Sequence, residues 1–398
     1  MTDSRITPDS HTPIPTKWVG PIHISGPVLS GAVEVPLATY ETPLWPSCNR
    51  GADVSRMVEG GICVCVADER MSRSVLFIAD DAAAALRAVT AIAARRSEWE
   101  RVVAGQSRFA RLLDIHPEVV GNLLFVRFEF STGDASGHNM ATQAAEALMG
   151  AILAVCPELD YGSISGNYCI DKKPSAVNGI LGRGRRTIAD IFIPDEVIAK
   201  RLRSDAHRIA ELNYRKNWVG STLAGAVRSA NAHYANMLLA VYLATGQDAA
   251  NIVEGSQGFT HVEEREGGLY VSCTLPHLIV GTVGNGKDLP GIEAVMERMD
   301  LADRSRPAGE NSRRLAAMIA ATVLCGELSL LAAQTNPGEL MHAHRKFERG
   351  GAPAPANSAS VNSVSVNGVP VDDVSVNGVP AEQLGGSAGQ QRSRGEED

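Results

Sequence analysis

From Trp18 to Leu37, valine and isoleucine alternate with polar residues and glycines, a period of two that predicts strands joined by turns. The pattern changes at Asp80. In DDAAAALRAVTAIAARRSEWERVV, Leu86, Val89, Ile92 and Ala93 recur at helical spacing, so one helix is predicted from Asp80 to Val103, with its acidic pair at the positive N-terminus. NLLFVRFEF, residues 122–130, reads as a strand from its aromatic and β-branched content. The glycine-containing break STGDASGHN follows, then an alanine-rich helix from Met140 to Val155. This alternation predicts a compact α/β subdomain from about Val75 to Tyr161. Beyond it, Lys216 to Thr245 reads as one long buried helix. LYVSCTLPHLIVGTVGNG returns to strand character, and Asn311 to Gln334 is a second apolar helix with Glu310 at its N-terminus.

Two stretches depart from this periodicity. The first fifteen or so residues are polar and proline-rich, a mobile lead-in without the apolar core of a secretory signal. From about Gly350 the chain becomes rich in Ser, Asn, Gly and Pro, and VSVNGVP occurs at Val364–Pro370 and again at Val374–Pro380. Such composition predicts disorder. The 398 residues, 44% hydrophobic, suffice for about two domains with a sizeable core. A formal net charge of -8 argues against nucleic-acid binding, which needs a positive field. Seven scattered cysteines without a CxxC pair read as reduced thiols in a cytosolic protein. The longest clean apolar run, Leu315 to Cys325, is too short to span a bilayer, so the expectation is a soluble, cytoplasmic protein. No histidine spacing suggests a metal site.

Two glycine-rich motifs compete as phosphate binders. GTVGNGKD, residues 281–288, has P-loop spacing, but Asp288 stands where a Ser or Thr hydroxyl is needed, so a glycine turn is the better reading. GRGRR, residues 182–186, divides evenly between a phosphate contact and a solvated turn. The chemistry concentrates instead in GNYCIDKKPSAVNG, residues 166–179. There Asp171, Lys172 and Lys173 sit among small residues that permit close approach to a ligand. One ammonium can stabilise an oxygen that becomes negative, and two adjacent ones anticipate an anionic substrate. By local sequence alone an exposed turn remains the commoner outcome. Glu41, in PLATYETPLWPSCNRG, lies among apolar and aromatic residues, a setting suited to proton donation. Asp248 follows an apolar segment and competes with a helix-capping role. His342 and His344, in ELMHAHRKFERG, are titratable groups just before the tail.

Taken together, GNYCIDKKPSAVNGILGRG, VPLATYET, SRFARL, GDASGHNM, GQDAANIVEGSQG and CTLPHLIVGTVGNG make the chain from about Trp18 to Arg349 resemble class I 3-hydroxy-3-methylglutaryl-coenzyme A (HMG-CoA) reductase in its soluble prokaryotic form. The resemblance implies an α+β fold: a large α/β substrate domain with a central long helix, and an inserted ferredoxin-like small cofactor-binding domain. The expected segments are 1–16 flexible, 17–74 large domain, 75–161 small NADP-binding domain, 162–349 large domain with catalytic loop and C-terminal flap, and 350–398 disordered. It further implies reduction of a thioester to mevalonate and coenzyme A by two hydride transfers from NADPH, without a metal. The oxidative, mevalonate-degrading direction with NAD is the alternative. A coenzyme-A-binding protein that has lost catalysis is opposed by the retention of all four catalytic positions.

Residue by residue, the resemblance gives catalytic roles to Lys172 (oxyanion stabilisation), Glu41 (proton to the aldehyde oxygen), Asp248 (a buried aspartate linking the two) and His344 (proton to the departing thiolate). Lys173, Arg73, Ser165, Lys216 and Asp171 match positions around the hydroxymethylglutaryl end, and Asn236 with His233 supports the network. Ser47 and Asn49 match the coenzyme A path. Ser107, Arg108, Asp134, Gly137 and Asn139 match nucleotide contacts, with Arg108 facing the 2′-phosphate. Ser136 and His138 replace the methionines usual in that loop. Family active sites form between subunits, so a homodimer or homotetramer is implied, with no nucleic acid and no membrane as partner.

Overall fold

The computed structural model describes residues 12–284, 286–348, 364–366 and 369–371. Its frame is a ten-stranded sheet system. The strands are β1 (Thr16–Ser25), β2 (Gly31–Ala38), β3 (Ile62–Ala79), β4 (Arg111–Val120), β5 (Leu123–Ser131), β6 (Leu159–Ser163), β7 (Gly184–Pro194), β8 (Ser229–Ala230), β9 (Gly258–Arg265) and β10 (Gly268–Leu278). The larger part runs β2-β1-β3-β7-β10-β9-β8. Strand β3 belongs to both halves: Cys63–Arg70 pair with β7, whereas Met71–Ile78 pair with β5. One continuous strand therefore carries the chain from one core into the other.

In the second half β3 lies between β6 and β5, with β4 outside β5 and every pairing antiparallel. Helices Ala82–Ala93 and Arg96–Ala104 connect β3 to β4, and helix His138–Val155 connects β5 to β6. That is the ferredoxin-like β-α-β-β-α-β order expected for the small subdomain. Its own core gathers Phe77, Trp99, Phe128, Phe130 and Leu148. The larger core surrounds helix Glu310–Gln334, whose side chains are buried on nearly every face. The helix is longer than the run Leu315–Cys325 suggests. By length and hydropathy it could cross a membrane, yet 94% of its most apolar window is inside the protein. Helix Leu44–Met57 packs on it closely: a Cβ at Gly51 would strike the Cys325 backbone.

Two predicted elements differ. The single helix expected from Asp80 to Val103 is two, capped by Asp81, whose side chain accepts from Ala84 N, and broken after Ala93. The break lets Trp99 enter the core, where its indole donates to Ile92 O at 2.8 Å. The long helix expected from Lys216 to Thr245 is also divided. Asn213–Gly220 is π-helical, Ser229–Ala230 pairs with β9, and only Tyr234–Ala244 forms the buried helix. Left-handed Gly225 (φ 72°) and Arg228 (φ 51°) turn the chain. The Asn231 side chain then caps the new start by accepting from Tyr234 N at 3.2 Å. Of the tail, the described residues are two three-residue strands, Val364–Val366 and Val369–Val371, paired with each other.

Candidate active site

The loop bearing the adjacent lysines is held in an unusual shape. Asn167, Ile170 and Lys172 all have positive φ (58°, 39° and 55°), a region that costs a non-glycine residue roughly 1–2 kcal/mol. Buried polar side chains clamp it. Arg127 donates to Tyr168 O at 3.1 Å, and Asn178 donates to Ile170 O at 2.8 Å. Gln257 accepts from Ser175 N and donates to Ser175 O. Glu254, wholly buried, accepts from Lys172 N at 3.2 Å and from Asn251 Nδ2 at 3.1 Å. Arg183 Nε faces the same carboxylate at 3.8 Å. Burial, partly offset by these donors and by Arg183, pushes the Glu254 carboxyl up.

So held, Lys172 projects its ammonium to 2.8 Å from Asp248 Oδ2. The hydrogen bond to Asp248 raises the lysine above its ordinary value. Partial burial raises Asp248, but the Lys172 contact and the Ala250 N–H outweigh it and leave the carboxyl lowered. Asp248 divides its oxygens, one capping the turn at Ala250 N (3.1 Å) and the other meeting the lysine. It is not the buried aspartate expected: its side chain is 45% exposed, because it sits at the tip of the turn after helix Tyr234–Ala244. Asp171 points inward instead, to Arg183 Nη2 at 2.6 Å and His138 Nε2 at 3.5 Å. Burial raises its carboxyl, but these two neighbours win and hold it well below the usual carboxylate range. Lys173 stays at the surface with its ammonium on Asp171 O.

Nearby on β3, Arg73 donates to Ile164 O at 3.2 Å, beside exposed Ser165. Lys216 is lowered by burial against a partial counterweight from Glu327. Glu327, fully buried on the central helix, accepts from Ala232 N, His233 N and Thr260 Oγ1. It thereby fixes the turn that places His233 and Asn236, whose side chains meet at 3.3 Å.

A cavity of about 560 Å³ gathers Glu41, Ser47, His233, Asn236 and His342, with Arg201 and Arg203 on its wall. Helix Glu339–Glu348 closes one side, tied down by Arg50 to Glu339 (2.6 Å) and Thr42 to Phe347 O (2.9 Å). His344 lies on that helix, but its side chain is outside the described residues. Asn49 does not reach this cavity and instead accepts from Gly20 N at 2.9 Å. Neither Lys172, Lys173 nor Asp248 lines it, and Glu41 is not among the charged neighbours that shift Lys172 or Asp248.

A second cavity, about 680 Å³, lies between the small subdomain and the central helix, lined by Arg108, Phe109, Asp134, Met140 and Val283. Asp134 is committed: its oxygens accept from Gly309 N (2.9 Å) and Ser312 N (3.0 Å), capping the central helix. Ser107 likewise accepts from Phe109 N and Ala110 N. Gly137 takes φ 96° at the start of helix His138–Val155, where a Cβ would strike Thr132, and Asn139 is exposed on that helix's first turn.

The GRGRR motif is neither a phosphate loop nor a solvated turn. Arg183 and Arg185 are buried and spent internally, Arg185 donating to Val280 O, Gly133 O and Ser312 Oγ. Lys287 of the P-loop-like segment donates to Gly246 O, and Asn285 is outside the described residues. The sequence reading passed over Glu254, Gln257, Arg127 and Glu327. Glu254 and Gln257 lay inside GQDAANIVEGSQG, but nothing local says that they turn toward a loop some eighty residues earlier.

Residues 10–349 match the family described as hydroxymethylglutaryl-coenzyme A reductase. The 3-hydroxy-3-methylglutaryl-coenzyme A reductase of Pyrococcus abyssi is 42% identical over 348 residues, covering 84% of this chain and 82% of that protein. That of Aeropyrum pernix is 40% identical, over 85% and 80% of the two chains. Among solved structures, the class II 3-hydroxy-3-methylglutaryl-CoA reductase from Streptococcus pneumoniae bound to NADPH superposes with a TM-score of 0.65. It is 18% identical and covers 82% of this chain and 86% of that one, a likeness of fold. By the extent of the family match and the identity to these relatives, the chain belongs to the hydroxymethylglutaryl-coenzyme A reductase family.

Proposed function

We propose that this protein reduces 3-hydroxy-3-methylglutaryl-coenzyme A to mevalonate and free coenzyme A with NADPH, as a class I enzyme acting in the cytoplasm. The observation that carries the reading is the Lys172–Asp248 pair at 2.8 Å, presented on a loop whose backbone is locked from beneath by Glu254. An ammonium kept charged by a carboxylate and fixed in direction is what a carbonyl oxygen gaining negative charge requires. NADPH, when bound, supplies the hydrides. The chain's own groups do the rest. Lys172 stabilises the developing oxyanion. Glu41 donates a proton to the aldehyde oxygen, and His344 protonates the departing thiolate. Lys173, Arg73, Ser165, Lys216 and Asn236 hold the hydroxymethylglutaryl end, with Asp171 orienting the loop through Arg183.

Coenzyme A fits the cavity of Glu41 and Ser47, where Arg201 and Arg203 suit its phosphates, while Asn49 braces the wall through Gly20. The nucleotide fits the second cavity, where Arg108 is free of carboxylates among the described residues and so available to a phosphate. Ser107, Asp134, Gly137 and Asn139 shape that site. Because Glu41 lines a cavity that Lys172 does not line, we propose a homo-oligomer in which one subunit's lysine loop completes the Glu41 cavity of its neighbour. The domain division proposed is 17–74 with 162–349 for substrate and 75–161 for cofactor. The test is NADPH absorbance with purified protein and 3-hydroxy-3-methylglutaryl-coenzyme A. Consumption of two NADPH per mevalonate supports the reading, and no substrate-dependent consumption overturns it.

A further inference from the structure

The second cavity contains more charge than the nucleotide contacts named so far. Besides Arg108 and Asp134, its wall includes Asp303, Arg304 and Arg306, from the segment that leads into the central helix. Most of these charges are already satisfied. Arg306 donates to Asp300 Oδ2 (2.6 Å), Asp300 O (2.7 Å) and Asn311 Oδ1 (2.8 Å). Asp303 accepts from Ser305 N (2.9 Å) and Ser305 Oγ (2.6 Å). Asp134 caps the central helix with both oxygens. What remains is Arg108, whose guanidinium rests on the Phe109 ring at 4.6 Å, and Arg304, exposed and without a hydrogen-bond or ion-pair partner among the described residues.

Two uncommitted guanidinium groups thus share one cavity whose carboxylates are otherwise engaged. A phosphate monoester, a near-dianion at neutral pH with three acceptor oxygens, matches such a pair better than a phosphodiester with its single charge. On a dinucleotide the monoester is the 2′-phosphate of the adenosine ribose, the group that separates NADPH from NADH. Resting on the cofactor reading above, we propose that Arg304, acting with Arg108, grips this 2′-phosphate and sets selectivity for the phosphorylated cofactor. Arg306, saturated by Asp300 and Asn311, instead holds the segment in place so that Arg304 faces the cavity.

The test is calorimetric titration of the intact protein with adenosine 2′,5′-bisphosphate and with 5′-AMP, ligands that differ only in the 2′-phosphate. Wild type should prefer the bisphosphate. Arg304→Ala should weaken bisphosphate binding by roughly tenfold to a hundredfold, the range for losing a charge-assisted contact. Binding of 5′-AMP should not change, and Arg108→Ala should act in the same direction. The ratio of kcat/KM for NADPH over NADH should fall in parallel. Unchanged bisphosphate affinity in Arg304→Ala, or equal loss of both ligands, overturns the proposal while leaving the cofactor reading intact. Wild type that binds neither ligand overturns both. Wild type that binds the bisphosphate through Arg304 yet consumes no NADPH with substrate supports the proposal and overturns the proposed reaction.

Discussion

Glu254 is one of the buried side chains that hold the lysine loop, and the one that accepts from Lys172 N itself. Its carboxylate is fully buried, accepts the Lys172 and Asn251 N–H groups, and faces Arg183 Nε at 3.8 Å. Glu254→Ala removes an acceptor from the left-handed Lys172 and leaves a buried guanidinium less balanced. Breaking a buried ion pair outright costs roughly 3–5 kcal/mol. Arg183 keeps Asp171 at 2.6 Å, so about 2–3 kcal/mol is expected here. At roughly 2 °C per kcal/mol for a protein of this size, the melting temperature should fall by about 5 °C. Glu254→Gln preserves the acceptor for Lys172 N and should cost about 1 kcal/mol. Thermal melts followed by circular dichroism, paired with turnover at a temperature where each variant is folded, separate the two effects. Positioning predicts that turnover collapses in the alanine variant and is largely rescued by glutamine. An alanine variant with wild-type melting and turnover refutes the argument, as does a glutamine variant no more active than alanine.

Further outcomes follow from the same geometry. If two subunits build each site, mixing inactive Lys172→Ala and Glu41→Gln subunits should restore roughly a quarter of wild-type activity, since half of the dimers are hybrids with one intact site each; no recovery contradicts the arrangement. His277 is wholly buried on β10, and burial, reinforced by Arg228 and Arg186, lowers it to about 4. The unfolded state takes up the proton first as pH falls, so stability should decline from about pH 6.5 to 4, by roughly 3 kcal/mol in all. Chemical denaturation across that range should show a shallower decline in His277→Asn, and identical slopes would count against it.

Strands Thr16–Ser25, Gly31–Ala38, Leu123–Ser131 and Gly268–Leu278 and helices His138–Val155 and Glu310–Gln334 were legible from their patterns, whereas β3, β4, β6, β7, β8 and β9 were not. Helix Glu310–Gln334 was visible from its length and composition, but the break before Arg96 was not, since it exists to bury Trp99. Likewise nothing between Lys216 and Thr245 announces that Ser229 and Ala230 must pair with a strand thirty residues later. For the site, local sequence yielded only suspicion of Asp171, Lys172 and Lys173, and the family resemblance supplied the roles. Of the residues so assigned, Lys172 and Asp248 meet at 2.8 Å. The clamp of Arg127, Arg183, Glu254 and Gln257 was illegible because a buried charge and a solvated one look alike until their partners are known. GRGRR is the clearest instance, a basic run whose arginines hold backbone carbonyls rather than phosphate.

The central claim is that the Lys172 ammonium stabilises the oxygen that becomes negative during reduction. Its most direct test is NADPH-dependent turnover of 3-hydroxy-3-methylglutaryl-coenzyme A by Lys172→Met, with circular dichroism to establish that the fold is retained. Removing one preorganised charge-stabilising donor costs roughly 10²–10³ in kcat, so the folded variant should lose at least that much turnover while its KM for NADPH changes little. A folded Lys172→Met protein with turnover close to wild type would contradict the account.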